Sequence, residues 1–575
     1  MQRRSLINGV DLFRKAENRR FIVKYMYKTD KNFFRVYSYS FVFLAVFSLF
    51  STMLGAQEAL KSAEEDYYDS LALQGNVERR TLNYRTFSDS AWVVDKSVSH
   101  PWQNQNLGTF RPLSDEFRMR IYGPELFVSA NTAVPYGQND GLLWQGRGFN
   151  TLLKGGVRLE GHGFELTLLP HFAFSQNADF DIMPSAYENQ YGYIWDYGGG
   201  SGIDLPQRFG DKAFTDWGFG DSEVRWAWRN FTAGFGTQAI WLGPSHINPM
   251  LHSNNAPAYP RFDIGLRRQK ISAFGRYLGD VEARLWVGRL SESDYFDGDN
   301  TNDNTMIHGI AFAYAPSFLP GFTLLVNRTC LVPWERENIK YIFPSKDNTI
   351  EDQKASVGFS WMLPQAGFEL FGELGFDDFT PEAGALGYVR YPFHTMLYTA
   401  GFRKSVSVSP DRNVFGKLTF EWNSLEMSQD FQFQWPYSPY FHHQISQGYT
   451  NRGQLLGAGS GWGGNSQFLE FKLYSPKGSI STFIHRDNPD NNYIYREAIY
   501  APASEELENK FFKSWKANLV MGINSDYFLK NNFIIGGGFA YNFIVNPHYY
   551  LNKTDYWAND YKHNFSFQFN IKYRI

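Results

Sequence analysis

Apolar and polar residues alternate along the last fifteen residues of the chain, "YKHNFSFQFNIKYRI". Apolar side chains occupy the odd positions from 565 to 573, and polar side chains occupy the even positions from 564 to 574. Successive side chains of a β-strand point to opposite faces, so this stretch predicts a strand with one apolar and one polar face. The same alternation recurs at 164–174, 414–423 and 533–543.

Charged residues occupy the polar register of these strands. Glu369 and Glu373 are examples. The core of a soluble sandwich does not accept unpaired charges, whereas a membrane barrel turns its apolar face to lipid and its polar face to the lumen. We therefore expect a transmembrane barrel. The pattern predicts about 18 strands, at 117–129, 152–160, 163–175, 221–230, 231–239, 261–269, 281–291, 305–316, 320–332, 352–363, 366–376, 394–408, 412–425, 466–475, 478–487, 514–528, 532–545 and 561–574.

The connections between these strands alternate in length. Short ones such as "PQAG", "SPKG" and "KNN" separate long ones such as 176–220 and 426–465, and only 270–280 is intermediate. Short periplasmic turns and long external loops are typical of outer-membrane barrels. The predicted fold class is all-β: a transmembrane antiparallel β-barrel over 115–575.

The N-terminal 114 residues do not show this alternation. Residues 1–56 predict a secretory signal peptide, because basic residues precede the apolar run 37–56 and cleavage after Ala56 is plausible. A membrane anchor is the alternative, and a start at Met26 gives a signal of ordinary length. Residues 57–76 predict a helix, and 57–114 are interpreted as a small helical region that closes the periplasmic side.

Composition narrows the function classes. Aromatic residues make up 18% of the chain, and there is one cysteine, which excludes a disulfide framework. The signal segment holds ten Lys or Arg and three Asp or Glu, so its removal changes the formal net charge from −3 to −10. An acidic exported chain is not an expected nucleic-acid binder.

The stretch "NDGLLWQGRGFN", 139–150, lies in the first long connection. It is not a phosphate-binding loop, since no G-K-[ST] follows and no strand–glycine–helix context exists. Its glycines are expected to allow close backbone turns. The acidic stretch 294–304 lacks the final Glu of a calcium loop. We predict no catalytic residues, no metal site and no cofactor.

Two stretches resemble the Wzi-type capsule assembly family. They are "NDGLLWQGRG" and "FGTQAIWLGPSHINPMLHSNNAPAYPRFDIGLRR", with W-x-G-P at 241–244 and SNNA-x-x-x-P at 253–260. The resemblance implies an eighteen-stranded outer-membrane barrel, an N-terminal helical portion that closes its periplasmic side, and a lectin role without catalysis. The chain departs from the family in its two outer loops of about forty residues and in its final Ile575.

Sugar binding needs aromatic faces flanked by amides and charges, as concave ligand sites generally combine apolar walls with a few placed polar groups. The outer connections supply these residue types, and Arg147 has the fork geometry to pair with a uronate or pyruvate. The alternative is that the aromatics brace the loops and that the asparagines serve turn geometry. The candidate ligand-binding residues are Trp144, Gln145, Arg147, Trp241, His246, Asn248, Asn254 and Asn255.

These observations predict a monomeric outer-membrane protein that binds capsular or other cell-surface polysaccharide. The alternative is a porin or substrate-selective channel with the N-terminal region as a plug. A membrane-embedded hydrolase is a third reading, for which no Ser-His spacing stands out.

Overall fold

The barrel strands form one antiparallel sheet that closes on itself, as seen in a computed structural model. A separate two-stranded sheet, of Thr450–Asn451 and Gln454–Leu455, lies in an outer loop. The structure describes residues 63–88, 99–108, 110–195, 202–343, 350–377, 385–391, 393, 395–426, 438–459, 463–494, 514–549 and 560–575. Within these residues the barrel has eighteen strands, of which β3 and β4 are each broken into two pieces. They are β1 (Phe117–Asn131), β2 (Gly148–Gly161), β3 (Phe164–Leu168 and His171–Ser175), β4 (Phe214–Gly218 and Glu223–Trp228), β5 (Phe231–Gly236), β6 (Arg261–Ala273), β7 (Arg276–Ser291), β8 (Asn304–Pro316), β9 (Phe322–Pro333), β10 (Asp352–Leu363), β11 (Phe368–Asp377), β12 (Leu397–Ser409), β13 (Val414–Ser424), β14 (Asn465–Ser475), β15 (Gly478–Asn488), β16 (Ala517–Phe528), β17 (Phe533–Val545) and β18 (Tyr561–Tyr573).

Each strand pairs with its sequence neighbour, and the last strand pairs with the first. The closing ladder runs from Glu125 opposite Lys572 to Asn131 opposite Ser566. Closure leaves no free sheet edge, which a bilayer would not tolerate. The all-β barrel predicted from the alternation is confirmed.

The two faces of the sheet are inverted relative to a soluble protein. On β18 the polar residues Asn564, Ser566 and Asn570 are buried, whereas Phe567 and Phe569 are exposed to 45% and 46%. Exposed apolar and buried polar side chains on one strand place lipid outside the barrel. The prediction that this alternation separates a lipid-facing side from a lumen-facing side is therefore confirmed.

The connection at 270–280 is shorter than its sequence suggests. Strand β6 extends to Ala273 and β7 begins at Arg276, so Phe274 and Gly275 alone form the turn. Both have positive φ, of 52° and 73°, as two-residue hairpins of primed type require. All the turns at this end are therefore short, and we assign it to the periplasm.

The N-terminal segment forms the helix α1 (Ala63–Leu73), which lies inside the barrel. Asp66 on α1 contacts Lys417 and Lys472 of the inner wall, the latter at 3.0 Å, and accepts a hydrogen bond from Tyr474 at 2.7 Å. Burial opposes ionisation of Asp66, but the two lysines hold its pKa well below the ordinary value. The predicted helix is confirmed over these residues, and the described residues 74–88 continue along the lumen without helical structure.

The signal peptide and the start at Met26 lie outside the described residues, which begin at 63, and both stay predictions. Among the described helices, none is long and apolar enough to cross a membrane.

The outer loops also enter the lumen and fill its outer half. Their buried side chains meet wall residues such as Trp286, which is fully buried, in one apolar cluster. A Cβ on Gly309 would lie 1.9 Å from the Trp286 ring, so only glycine at that wall position leaves room for the indole. The loop members of the cluster are Trp195, Ile203, Ile240, Leu242, Met250, Leu251, Ala256, Tyr259, Tyr440, Phe441, Ile445, Tyr449, Leu455, Leu456 and Ala458.

Charges of the inner wall are paired rather than left to water. Glu369 has no exposed surface and contacts Arg79 of the N-terminal segment and Arg403 of β12, each at 2.7 Å. Arg225 bridges Glu223 and Asp263 at 2.7 and 2.6 Å. Because a buried charge is costly without a partner, these ion pairs are what allow a charged wall to face a filled lumen.

Candidate functional site

The loop between β5 and β6 folds down into the barrel and is held there by one carboxylate. Glu421 of β13 is 1% exposed and accepts the backbone N–H groups of three consecutive residues, 246 to 248. The Asn248 bond measures 2.8 Å. Successive N–H groups converging on one anion make a strong, directional anchor. This loop is therefore fixed to the opposite wall of the barrel.

Five of the predicted ligand-binding residues lie on this anchored loop. Asn248 donates its amide to Ser466 and accepts from Gln138, at 2.9 and 2.7 Å. Asn255 accepts from the backbone N–H of Asn139 at 3.2 Å, which ties this loop to the first one. Asn254 is 3% exposed, and its backbone carbonyl accepts from Gly141 at 2.9 Å. The asparagine contacts are internal and match the turn-and-bracing alternative.

Trp241 and His246 lie deeper in the same loop. The Trp241 indole is 1% exposed and donates to the Ser245 carbonyl at 3.2 Å, and the guanidinium of Arg85 lies 5.7 Å from its ring centre. His246 is half-buried and lies 3.7 Å from Glu470 of the wall. Trp241 thus contacts the N-terminal segment and His246 contacts the barrel wall, so a saccharide at the mouth would not meet the Trp241 ring face.

The first loop presents the other three predicted residues. Gln145 is buried and donates to Asp140 at 2.8 Å. Gly141 has a φ of 61°, as the prediction about close turns requires. Arg147 is half-buried, and its Nε and Nη1 donate to backbone carbonyls, leaving Nη2 without a hydrogen bond among the described residues. Arg147 is thus oriented while keeping one edge of its guanidinium available.

Trp144 lies in a row of six aromatic rings at the mouth of the barrel. Its ring centre lies 5.2 Å from Phe209 and 6.2 Å from Phe214. All six side chains are partly exposed, and adjacent ring centres lie 5.2 to 6.5 Å apart. We call this set the aromatic row: Phe180, Trp144, Phe214, Phe209, Tyr295 and Tyr191.

Polar side chains hold the row in place. The Asn177 amide nitrogen lies within 2.8 to 2.9 Å of three carbonyls in 209–212, which fixes the backbone that carries Phe209. Arg208 is bound to Asp179 at 2.5 Å and lies over the Phe180 ring at 5.7 Å. A Cβ on Gly146 would lie 2.5 Å from the Trp144 ring, so this glycine is needed for the observed ring position.

Of the six residues of the aromatic row, only Trp144 is among the predicted ligand-binding residues, and the other five were missed. Phe180 and Phe209 lie in the connection between β3 and β4, Phe214 begins β4, and Tyr295 lies in the connection between β7 and β8. These residues have no common motif, so only the closed barrel brings them together with Trp144. The outer connection 426–465 is also rich in aromatic residues. Trp435 and Tyr437 lie outside the described residues, whereas Tyr440 is buried in the lumen cluster.

The charge content of the loop between β5 and β6 indicates that this loop is buried. The connection 237–260 contains no Lys, Arg, Asp or Glu in 24 residues. A loop that long without charge is unusual on a protein surface, because charged residues are mostly exposed. The absence of charge predicts burial of this loop, which is what the structure shows.

No protein-family model matches the sequence, and no curated protein matches it. Among solved structures, the chain is similar to Wzi of Escherichia coli, described as an outer-membrane protein involved in group 1 capsule assembly and as a carbohydrate-binding β-barrel. The identity is 12%, the alignment covers 80% of this chain and 85% of Wzi, and the TM-score is 0.51.

Two Pseudomonas aeruginosa barrels also align. OccK2 does so at 10% identity, over 80% of this chain and 97% of its own, with a TM-score of 0.36. The outer-membrane protein OprD aligns at 8% identity, over 79% and 92%, with a TM-score of 0.32. The likeness to Wzi, together with the closed sheet, shows that the chain has the fold of an outer-membrane β-barrel.

Proposed function

We propose that this protein is a saccharide-binding barrel of the outer membrane that holds a cell-surface polysaccharide at its external mouth. The observation that carries the proposal is the aromatic row, six partly exposed rings beside the oriented Arg147. The carbohydrate binding printed for Wzi agrees with it. We infer that the protein acts as a monomer by binding, without catalysis.

The filled lumen supports binding over transport. A substrate-selective channel needs a continuous polar path, whereas here an apolar cluster with fully buried members occupies the outer half of the barrel. The loops that form this cluster are anchored to the wall, as the Glu421 contacts illustrate. Because the lumen is filled, a polymer would contact the external surface of the barrel.

The row also suits a chain-like ligand. Its rings come from three loops and from β4, and they extend across the mouth instead of lining a closed pocket. Aromatic side chains give large, rigid contact area, and a guanidinium edge recognises a carboxylate in bidentate fashion. We infer a preference for polysaccharides that carry uronate or pyruvate groups.

Saccharide binding by purified variants tests the proposal. Trp144→Ala is expected to weaken binding to acidic glycans on an array by about tenfold or more, as expected for loss of a large aromatic contact. Trp334→Ala is the matched control, because this half-exposed tryptophan lies on another outer loop, against Arg289. Equal binding by both variants and the parent would refute a role for the row.

A deletion strain tests the role in the cell. Cells that lack the protein are expected to release surface polysaccharide into the medium, and the Trp144→Ala variant is expected not to restore retention although it inserts normally. Unchanged retention in the deletion strain would contradict the proposed role.

A further inference from the structure

A large cavity lies at the opposite, periplasmic end of the lumen. It measures about 680 Å³ and is enclosed by the N-terminal segment and the inner wall near β1, β2, β6, β7 and β18. This volume is within the range of about 300–1,000 Å³ typical of small-molecule sites. Eleven of its lining residues are Lys or Arg and six are Glu. The excess of positive charge between low-dielectric walls attracts anions.

The glutamates of this cavity are already engaged. Glu282 accepts the backbone N–H groups of residues 82 to 84, at 2.8, 3.1 and 2.7 Å. Glu165 binds Arg267 in bidentate fashion at 2.7 and 2.8 Å. Glu125 lies between two lysines, at 3.4 and 3.2 Å. Glu64 contacts Arg120 and Arg574, and Glu160 contacts Arg118 and Arg158. Among the described residues, the lining cations without an ion pair are therefore Arg80 and Arg229.

Arg80 is the clearest of these unmatched cations. It is exposed at the rim, and it forms no hydrogen bond or ion pair with any other described residue. Partial desolvation beside the wall and the charge of Arg267, with smaller effects of Arg118 and Arg158, lower the pKa of Arg80 against the opposing charge of Glu160. Nearby, the Nε of Arg120 is buried without a hydrogen-bond partner. Like charges held together in this way are relieved by binding an anion.

Aromatic rings lie among these arginines. Phe87 and Tyr122 pack edge to face with ring centres 5.0 Å apart. The guanidinium of Arg120 lies 5.0 Å above Tyr122, and that of Arg118 lies 4.5 Å above Phe110. Stacked guanidinium groups present fixed forks for carboxylate or phosphate, and the ring faces beside them offer apolar contact.

We propose that this periplasmic cavity is a second ligand site, which binds an acidic sugar unit through its carboxylate or phosphate group, with Arg80 as the primary contact. The site is separated from the aromatic row by the apolar cluster that fills the outer half of the lumen. It takes its ligand from the periplasm, so it does not depend on the external saccharide site.

Calorimetric titration of the purified full chain in detergent tests this site. Trigalacturonate and glucose 6-phosphate are expected to bind, and the neutral maltotriose is not. Arg80→Gln is expected to weaken the binding of both acidic probes by about tenfold or more, the loss typical of one charge-assisted hydrogen bond. Arg412→Gln is the matched control, an exposed arginine on the β12–β13 turn at the same end of the barrel.

Each other outcome overturns the proposal in a defined way. Equal binding by Arg80→Gln and the parent would show that Arg80 does not contact the ligand. Binding of inorganic phosphate as tight as that of the acidic sugars would show that the site recognises the anionic group and not the saccharide. Should Arg80→Gln fail to fold, the four probes titrated into the parent decide, since no binding of the acidic sugars overturns the site. Trp144→Ala is expected to bind the monosaccharide glucose 6-phosphate as tightly as the parent does, while it loses binding of acidic polysaccharide at the aromatic row, and this difference separates the two sites.

Discussion

Single carboxylates on the inner wall decide where distant segments of the chain lie. Glu421 and Glu282 each capture three consecutive backbone N–H groups, one set from an outer loop and the other from the N-terminal segment. The alternating pattern places such residues in the lumen. It does not say what they bind, because their partners lie more than 170 positions away in sequence.

Asp140 predicts a pH dependence of the first outer loop. Burial raises its pKa to about 7, against the hydrogen bond from Gln145. Because the pKa of Asp140 is higher in the folded loop than in the open loop, the protonated acid favours the folded loop. The stability of the loop is therefore highest below about pH 4 and is constant above about pH 7. Between these values it falls by at most about 1.4 kcal/mol per pH unit. Hydrogen exchange at 131–148, corrected for intrinsic rates, is expected to show slower opening at pH 5 than at pH 8.

The Asp140→Asn variant serves as the control, since its neutral amide resembles the protonated acid. Its loop opening is expected to be the same at both pH values. Tyr136 is the neighbouring titratable group, and burial, Asp140 and Asp487 raise its pKa, so it stays neutral across this range. A pH dependence that survives in Asp140→Asn would assign the effect to another group.

At the scale of elements, β-strands were predictable and loops were not. The predicted spans agree with the strands to within a few residues at most ends, because each strand carries its own two-faced pattern. The first piece of β4 was predicted as part of the connection 176–220, and the ends of β6 and β7 were predicted as part of the connection 270–280. The break in β3 was missed because apolar residues at 164, 166, 168, 172 and 174 keep one register through it. Loops fold against partners from elsewhere, and their sequences carry no period.

The loop between β5 and β6 is expected to depend on Glu421 as an element. Glu421→Gln places an amide beside three N–H donors and removes the charge, so we expect a loss of about 2–4 kcal/mol in the free energy of unfolding this loop. Hydrogen exchange over 240–260 measures it. Glu335→Gln, on an exposed outer loop, is the matched control. Equal exchange in both variants would show that apolar packing alone fixes the loop.

At the scale of the molecule, the barrel is predicted to be closed. The apolar cluster seals its outer half, while the helix α1 docks on the wall below through Tyr67, whose ring centre lies 5.4 Å from that of Tyr474 on β14. In planar bilayers the parent protein is expected to show no stable conductance. Deletion of 438–459, which supplies Tyr440, Tyr449 and Leu456 to the cluster, is expected to open a path.

A large, stable conductance of the unmodified protein would contradict the closed barrel and favour the channel reading. Deletion of the exposed part of another outer loop, 336–342, is the matched control, because no residue of this short helix is buried. That variant is expected to stay as closed as the parent.

The sequence by itself determined the barrel, its strand number and its orientation, because transmembrane strands must show lipid and lumen different faces at every second residue. It also marked Trp144 and Arg147 as residues of the mouth. Only the tertiary structure decided that Trp241, Asn248 and Asn254 brace an inward loop, that six rings form a row, and that arginines collect at the periplasmic end. These arrangements depend on contacts between segments that are distant in sequence. Local sequence patterns do not specify which of these segments come into contact.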